Sequence, residues 1–218
     1  MCGSENERSK DSYLEPAEPV AFEAKVRRSL FIGNLFPCRD AADVRAIIAR
    51  VEGEHKNANH NCRAYVLGPD AEVVYGSDDG EPAGTAGKPI LAAIRRSGIT
   101  NVMVVVTRYF GGIKLGVRGL IEAYGNVAAE VLSRANPVEK IRSRRLAICL
   151  PYAIIGDVAH VLNAGGVVGV PEWVYGEKVK VSAEIRLSAT ARITDLLDEL
   201  QAREKICSWK WVVFNQPL

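Results

Sequence analysis

Residues 76–125 read GSDDGEPAGTAGKPILAAIRRSGITNVMVVVTRYFGGIKLGVRGLIEAYG, and ten of the nineteen glycines of the chain fall within them. A backbone this rich in glycine turns sharply or approaches other groups closely, which is the habit of a site. Three parts follow one another. An acidic turn (Ser77, Asp78, Asp79, Gly80, Glu81, Pro82) leads to a short helix over about residues 89–96, with Pro89 in its first turn and Gly98 just past its end. Next comes Val102-Met103-Val104-Val105-Val106, an apolar run without polar alternation, the pattern of a strand covered on both faces. Arg108 and Lys114 are thereby placed at the end of a core strand, on either side of Tyr109-Phe110-Gly111-Gly112. A second helix starts near Gly116 and spaces Leu120, Tyr124, Val127 and Val131 by four and three, as a buried face requires.

Two known glycine-loop motifs fail on spacing. Gly80 and Gly87 have six residues between them where a phosphate-cradling P-loop has four, and Pro89 stands where the magnesium-binding hydroxyl belongs. Gly111-Gly112-Ile113-Lys114-Leu115-Gly116 has the wrong order for a dinucleotide fingerprint. Composition adds little bias: 218 residues, 48% hydrophobic, 25% charged and a net charge of +2 describe an ordinary globular chain of one or two domains. No apolar run reaches membrane-spanning length and the start, MCGSENERSK, lacks the apolar core of a signal peptide, so a cytoplasmic location and no membrane partner are expected. The five cysteines are scattered and form no CxxC pair, which argues against a disulfide framework and a zinc ribbon.

Outward from the central stretch, residues 1–20 are polar and end in Glu15-Pro16-Ala17-Glu18-Pro19, the composition of a disordered tail. An α+β domain is expected over 21–136. Its first strand spans 29–36, a helix opened by Asp40 buries Val44, Ile47, Ile48 and Val51, and strands at 62–67 and 72–75 are joined by Gly68-Pro69-Asp70. Asn136-Pro137 and the basic residues behind it read as a linker over 137–145. Residues 146–218 then run β-α-β-β-α-β, with Ile193, Leu196, Leu197 and Leu200 as the stripe of the second helix; this order predicts a ferredoxin-like domain.

Candidate functional residues cluster in two places. Asp78, Asp79 and Glu81 are dense enough to hold Mg²⁺ or to share a proton, or else to cap turn amides. His60 precedes a strand, where a loop can face the acidic turn, while His55, His60 and Cys62 have no recognised zinc spacing. Arg108, Lys114 and the amides of Tyr109, Gly111 and Gly112 can receive an anion, or the cations can neutralise the acidic turn in a closed network. Together these nine residues predict one charged, glycine-lined pocket. The second cluster is Lys140, Arg142, Arg144 and Arg145 with Lys178 and Lys180, the latter two alternating with apolar residues along one strand. Such a basic face suits phosphate contacts without base reading, with Trp173 and Tyr175 as candidate stacking residues.

The words SDDGEPAGTAGKPIL at 77–91 and VVVTRYFGGIKLG at 104–116 resemble the two signature blocks of the Impact family, whose bacterial members are called YigZ-like. The likeness extends upstream through His60-Asn61-Cys62-Arg63-Ala64-Tyr65 and downstream to the end, with departures at Leu30 and at Val117-Arg118. The resemblance implies a first domain similar to the ribosomal protein S5 domain 2-like fold, joined to a ferredoxin-like second domain. It also implies a regulatory or binding role linked to translation, through RNA or a ribosome-associated protein. The alternative is a metal-assisted hydrolase using the turn at 78–81. Oligomeric state and partner are left open by the sequence.

Overall fold

In a computed structural model, residues 11–212 are described, and they separate into two compact units, residues 13–140 and residues 141–212 with 11–12. The first unit is built on a five-stranded antiparallel sheet of β2 (Val20–Val26), β3 (Ser29–Pro37), β4 (His60–Leu67), β5 (Val73–Ser77) and β6 (Val102–Tyr109), in the order β2-β3-β6-β4-β5. Helices α2 (Gly87–Ser97) and α3 (Gly116–Ser133) pack on one face, and α1 (Ala41–Glu54) covers the other. This is why the central strand reads as one apolar run. Val102, Val104 and Val106 face the α2–α3 side while Met103 and Val105 face α1, and all five are buried. Asp40 opens α1 as expected, its carboxylate accepting from the amides of Ala42 at 2.7 Å and Asp43 at 2.9 Å. Gly98 closes α2 at φ +69, in the left-handed region that glycine adopts without strain.

Two expectations are corrected. The tail expected over 1–20 is in part ordered: residues 1–10 lie outside the described residues, but β1 (Ser12–Pro16) and β2 follow, and β1 pairs with β7 (Pro137–Ile141). The linker expected over 137–145 is likewise strand, since β7 is followed by β8 (Ser143–Leu150). The physical reason is Glu15, 4% exposed, which meets the guanidinium of Arg39 at 2.8 Å, the amide of Asn101 at 3.2 Å and the Lys140 ammonium at 3.7 Å. The carboxylate that makes the first segment look solvated on its own is buried, and the Lys140 ammonium of the other reaches it from a distant part of the sequence.

The second unit contains β8, α4 (Ile155–Ala164), β9 (Val167–Val174), β10 (Val179–Arg186), α5 (Thr190–Ala202) and β11 (Ser208–Val212). Its strands lie antiparallel in the order β11-β8-β10-β9, which is 4-1-3-2 in chain order, the βαββαβ ferredoxin-like arrangement. Leu146, Ile148 and Leu150 of β8 and Val179, Val181 and Ile185 of β10 meet Val158, Leu162, Ile193 and Leu197 of the helices. Among the described residues, no helix of this unit covers the opposite face of the sheet. Among the described residues no helix is long and apolar enough to cross a membrane.

Candidate functional site

The acidic turn wraps the start of α2. Asp78 leaves the end of β5 with its carboxylate pointing at the start of that helix, accepting from the turn amide of Gly84 at 2.7 Å, the cap amide of Ala86 at 2.9 Å and the first helical amide, of Gly87, at 2.8 Å. Ala86 at the cap position has no side chain for this task, so Asp78 performs it from across the turn. Burial alone would raise the Asp78 pKa, but the three amides overcome it and hold the carboxyl below its usual range. Gly87 has to be glycine here, because a Cβ would lie 2.7 Å from the Ser77 amide.

Asp79 ties the turn to β4. Its side chain accepts from the Asn61 amide at 2.7 Å, and its carbonyl accepts from His60 Nδ1 at 2.7 Å. A carbonyl cannot donate, so Nδ1 carries a proton, and Nε2 lies 3.9 Å from Glu81 Oε1. Cys62 donates to the Asp78 carbonyl at 2.9 Å, and burial pushes its thiol up to about 12.

Glu81 and Arg108 form the centre. They are 8% and 5% exposed, with Nη1 to Oε1 at 2.6 Å. The hydroxyl of Tyr124 on α3 donates to the same oxygen at 2.8 Å, and burial raises the Tyr124 pKa above its usual value. Arg108 Nη2 donates to Ser29 Oγ at 3.3 Å, and the guanidinium lies between the rings of Phe31 and Phe110, 5.5 and 5.4 Å from their centroids. Next to this pair opens a cleft of about 460 Å³ lined by Asn59, His60, Glu81, Arg108, Phe110 and Lys114, with the first turn of α3 as a further wall.

Of the residues expected to share a pocket, His60, Glu81, Arg108 and Lys114 line this cleft, whereas Asp78 and Asp79 are turned onto backbone amides behind it. Tyr109 is not brought in. Strand alternation sends it to the α1 face, where its hydroxyl meets His55 Nδ1 at 2.9 Å. The Gly111 amide donates to Ser29 Oγ at 3.3 Å, and Gly112 takes φ +85 in the loop that leads to Lys114. Sequence reasoning missed Tyr124, Ser29 and Asn59. For Tyr124 the signal was a phenol on a buried helical stripe, whose hydroxyl demands a partner. Among the described residues no three His, Cys, Asp or Glu side chains converge as a metal site.

The residues of the second expected cluster are divided between the two units, Lys140 in the first and the others in the second. Lys140 is paired with Glu15, Arg144 lies over the Trp211 ring at 4.8 Å, and Arg145 meets Glu172 at 2.6 Å. Arg144 and Arg145 are neighbours in β8, so they leave the sheet on opposite sides. Lys180 does lie on the open face, beside Ser182, Ser208 and Lys210 in a cavity of about 570 Å³. Lys178 immediately precedes the same strand. Trp173 packs against the core, and Tyr175 is exposed and stacked on Tyr152 at 6.3 Å.

Comparison with known proteins agrees with the signature blocks. The family model of the Impact N-terminal domain matches residues 27–132, from the start of β3 to the end of α3, and so includes every residue of the cleft. The chain is 33% identical over 189 residues to the IMPACT family member YvyE of Bacillus subtilis, covering 87% of each chain. It is 42% identical over 132 residues to the IMPACT family member YigZ of Escherichia coli, 60% of this chain and 65% of that one. A crystal structure described as a hypothetical protein superposes with a TM-score of 0.64 at 30% identity, over 95% of this chain and 99% of that one.

Proposed function

This chain belongs to the Impact family, and from that premise we propose that it is a regulatory binding protein of the translation machinery, docking through the outer face of α3 and the loop before it. One observation carries the reading. Phe110, Ile113, Val117 and Ile121 are between 39% and 59% exposed, on the stretch where the signature motif ends and α3 begins. Val117 and Ile121 stand one turn apart on the same helix face, and Phe110 and Ile113 lie in the loop that leads to that helix. Contiguous large apolar side chains in water mark an interaction surface. Lys114 is next to Ile113 in the sequence and adds a cation, which suits an apolar partner surface with an acidic edge, while Arg118 is paired with Glu122 at 3.0 Å. A metal-assisted hydrolase needs carboxylate oxygens turned outward, whereas those of Asp78 accept from three amides and Glu81 Oε1 accepts from Arg108 and Tyr124.

Co-sedimentation with ribosomal particles from a cell lysate, with and without nuclease, tests the proposal. The chain is expected to travel with the particles, and Val117→Asp with Ile121→Asp is expected to leave it at the top of the gradient. Persistence after nuclease identifies a protein partner, and loss identifies RNA. A wild-type chain that stays at the top in every condition overturns the link to translation.

A further inference from the structure

The described cysteines fall into two kinds. Cys38 and Cys62 are fully buried, and burial pushes each thiol up to about 12, which makes them inert. Cys149 and Cys207 are also free thiols, but Cys207 is exposed and Cys149 partly so. They meet at one end of the second unit's sheet.

Leu146, Ile148 and Leu150 point into the core, so Cys149 between the last two points to the open face. On the neighbouring strand Ser208 is the partner of Cys149, yet the Cys207 amide also donates to the Cys149 carbonyl at 2.9 Å. Two residues therefore oppose one, the arrangement of a β-bulge. Burial agrees, because Ile206 and Trp209 both pack on the core with two residues between them where a regular strand would have one. The extra residue turns Cys207 outward together with Ser208, to the side on which Cys149 lies. Facing Cα atoms in an antiparallel pair are about 4.5–5.5 Å apart, inside the window of about 4.4–6.8 Å that a disulfide spans. Lys178 completes the cluster: the register sets Lys180 opposite Cys149, alternation turns Lys178 to the same open face just before β10, and its pKa is raised chiefly by Cys207 and then by Cys149.

We propose that Cys149, Cys207 and Lys178 form a peroxide-sensitive dithiol that closes a disulfide between β8 and the start of β11. The Cys207 sulfur, as thiolate, attacks one oxygen of a hydroperoxide; the O–O bond breaks, and the departing oxygen leaves as an alkoxide or hydroxide that takes up a proton. Cys207 is then a sulfenic acid. The Cys149 sulfur attacks it, the S–O bond breaks as the S–S bond forms, and hydroxide leaves with the thiol proton as water. Two thiols have given two electrons to one peroxide. Lys178 faces the anion through which the first step passes, and the disulfide pins edge strand β11 to β8 beside the open-face cavity that Cys149 and Ser208 line.

The test uses the full chain in a Cys2→Ser background, treated with equimolar hydrogen peroxide, blocked with N-ethylmaleimide and digested without reductant. The expected product is a Cys149–Cys207 cross-linked peptide, with Cys38 and Cys62 unalkylated as proof that the fold is intact. Cys149→Ser is expected to leave a dimedone-reactive sulfenic acid on Cys207. Lys178→Met is expected to slow oxidation about fivefold, the effect of one unit charge at contact distance in water. Cys207 recovered as sulfinic acid while Cys149 stays free in the unsubstituted pair overturns the dithiol, as does the absence of any dimedone adduct in Cys149→Ser. An unchanged rate in Lys178→Met, with Cys38 and Cys62 still protected, overturns the three-residue assignment.

Discussion

Glu81 and Arg108 are buried against one another, whereas Val117 and Ile121, on the helix to which the same loop leads, stand in solvent. Each region inverts the usual placement of its residue type. A charge taken out of water must be matched at once by an opposite charge and by hydrogen-bond partners, and Arg108, Tyr124 and Ser29 supply these within the domain. An apolar side chain left in water carries a smaller penalty, which another molecule can relieve. The difference separates residues that hold the fold from residues free to serve a partner, although both lie in one signature stretch. It can be broken most directly at the buried pair. Arg108→Ala or Glu81→Gln is expected to destabilise the chain by about 3–5 kcal/mol, since either leaves a buried group without its counterpart. The double substitution should be less harmful than the sum of the two, because the residues interact. Urea melts of the three variants check this. Losses below about 1 kcal/mol would mean that the pair is solvated and available to a ligand.

How much of this was legible before the structure depends on the residue. The strand at 102–106 was, because both its faces are apolar, and so was the end of α2, because Gly98 is the residue a left-handed cap requires. The ferredoxin-like order was readable from alternating element types. Strands β1 and β7 were not: they are short, polar and proline-bearing, and what orders them is the meeting of Glu15 with Arg39, Asn101 and Lys140, which no local pattern records. Within the candidate site, the acidic turn was visible as a cluster but not which carboxylate faces which group. Asp78, Asp79 and Glu81 differ only in whether amides of α2, an amide of β4 or Arg108 comes within reach. The position of Tyr109 was available, since counting alternation along β6 from Val102 puts it opposite Arg108.

Asp78 sharpens the comparison at a smaller scale, being a charge bonded to backbone amides and not to another charge. Asp78→Ala leaves three amides at the start of α2 without an acceptor and is expected to cost about 2 kcal/mol. The pH dependence follows from the direction of its shift. The folded carboxyl is held below the unfolded value of about 3.9, so its contribution is present above that pH and is lost as pH falls through the folded pKa. The stability gap between the wild-type chain and Asp78→Ala should therefore be constant from pH 7 to about 5 and narrow below about 4. Denaturant melts across that range measure it. A gap that widens on acidification would mean that the protonated carboxyl is the form the turn prefers.

The outer face of α3 provides the smallest stability effect and the sharpest division between the two regions. Val117 is 59% exposed and Ile121 41%, so about half of each residue is already in water in the folded chain. Replacing both by Asp gives up only the half-buried part of each side chain, and the carboxylate at 117 stands in the first turn of α3, where the helix dipole favours negative charge. The expected loss of stability is about 1 kcal/mol, the part-buried fraction of two aliphatic side chains. If the patch is a docking surface, those two carboxylates enter a desolvated contact without partners, and affinity for the partner should fall by at least about 100-fold. Melting and binding are to be measured on the same preparation. A double variant that melts close to the wild type yet loses its partner makes Val117 and Ile121 residues of recognition. One that melts several degrees lower with binding intact makes the face part of the scaffold, and the contrast with Glu81 and Arg108 disappears.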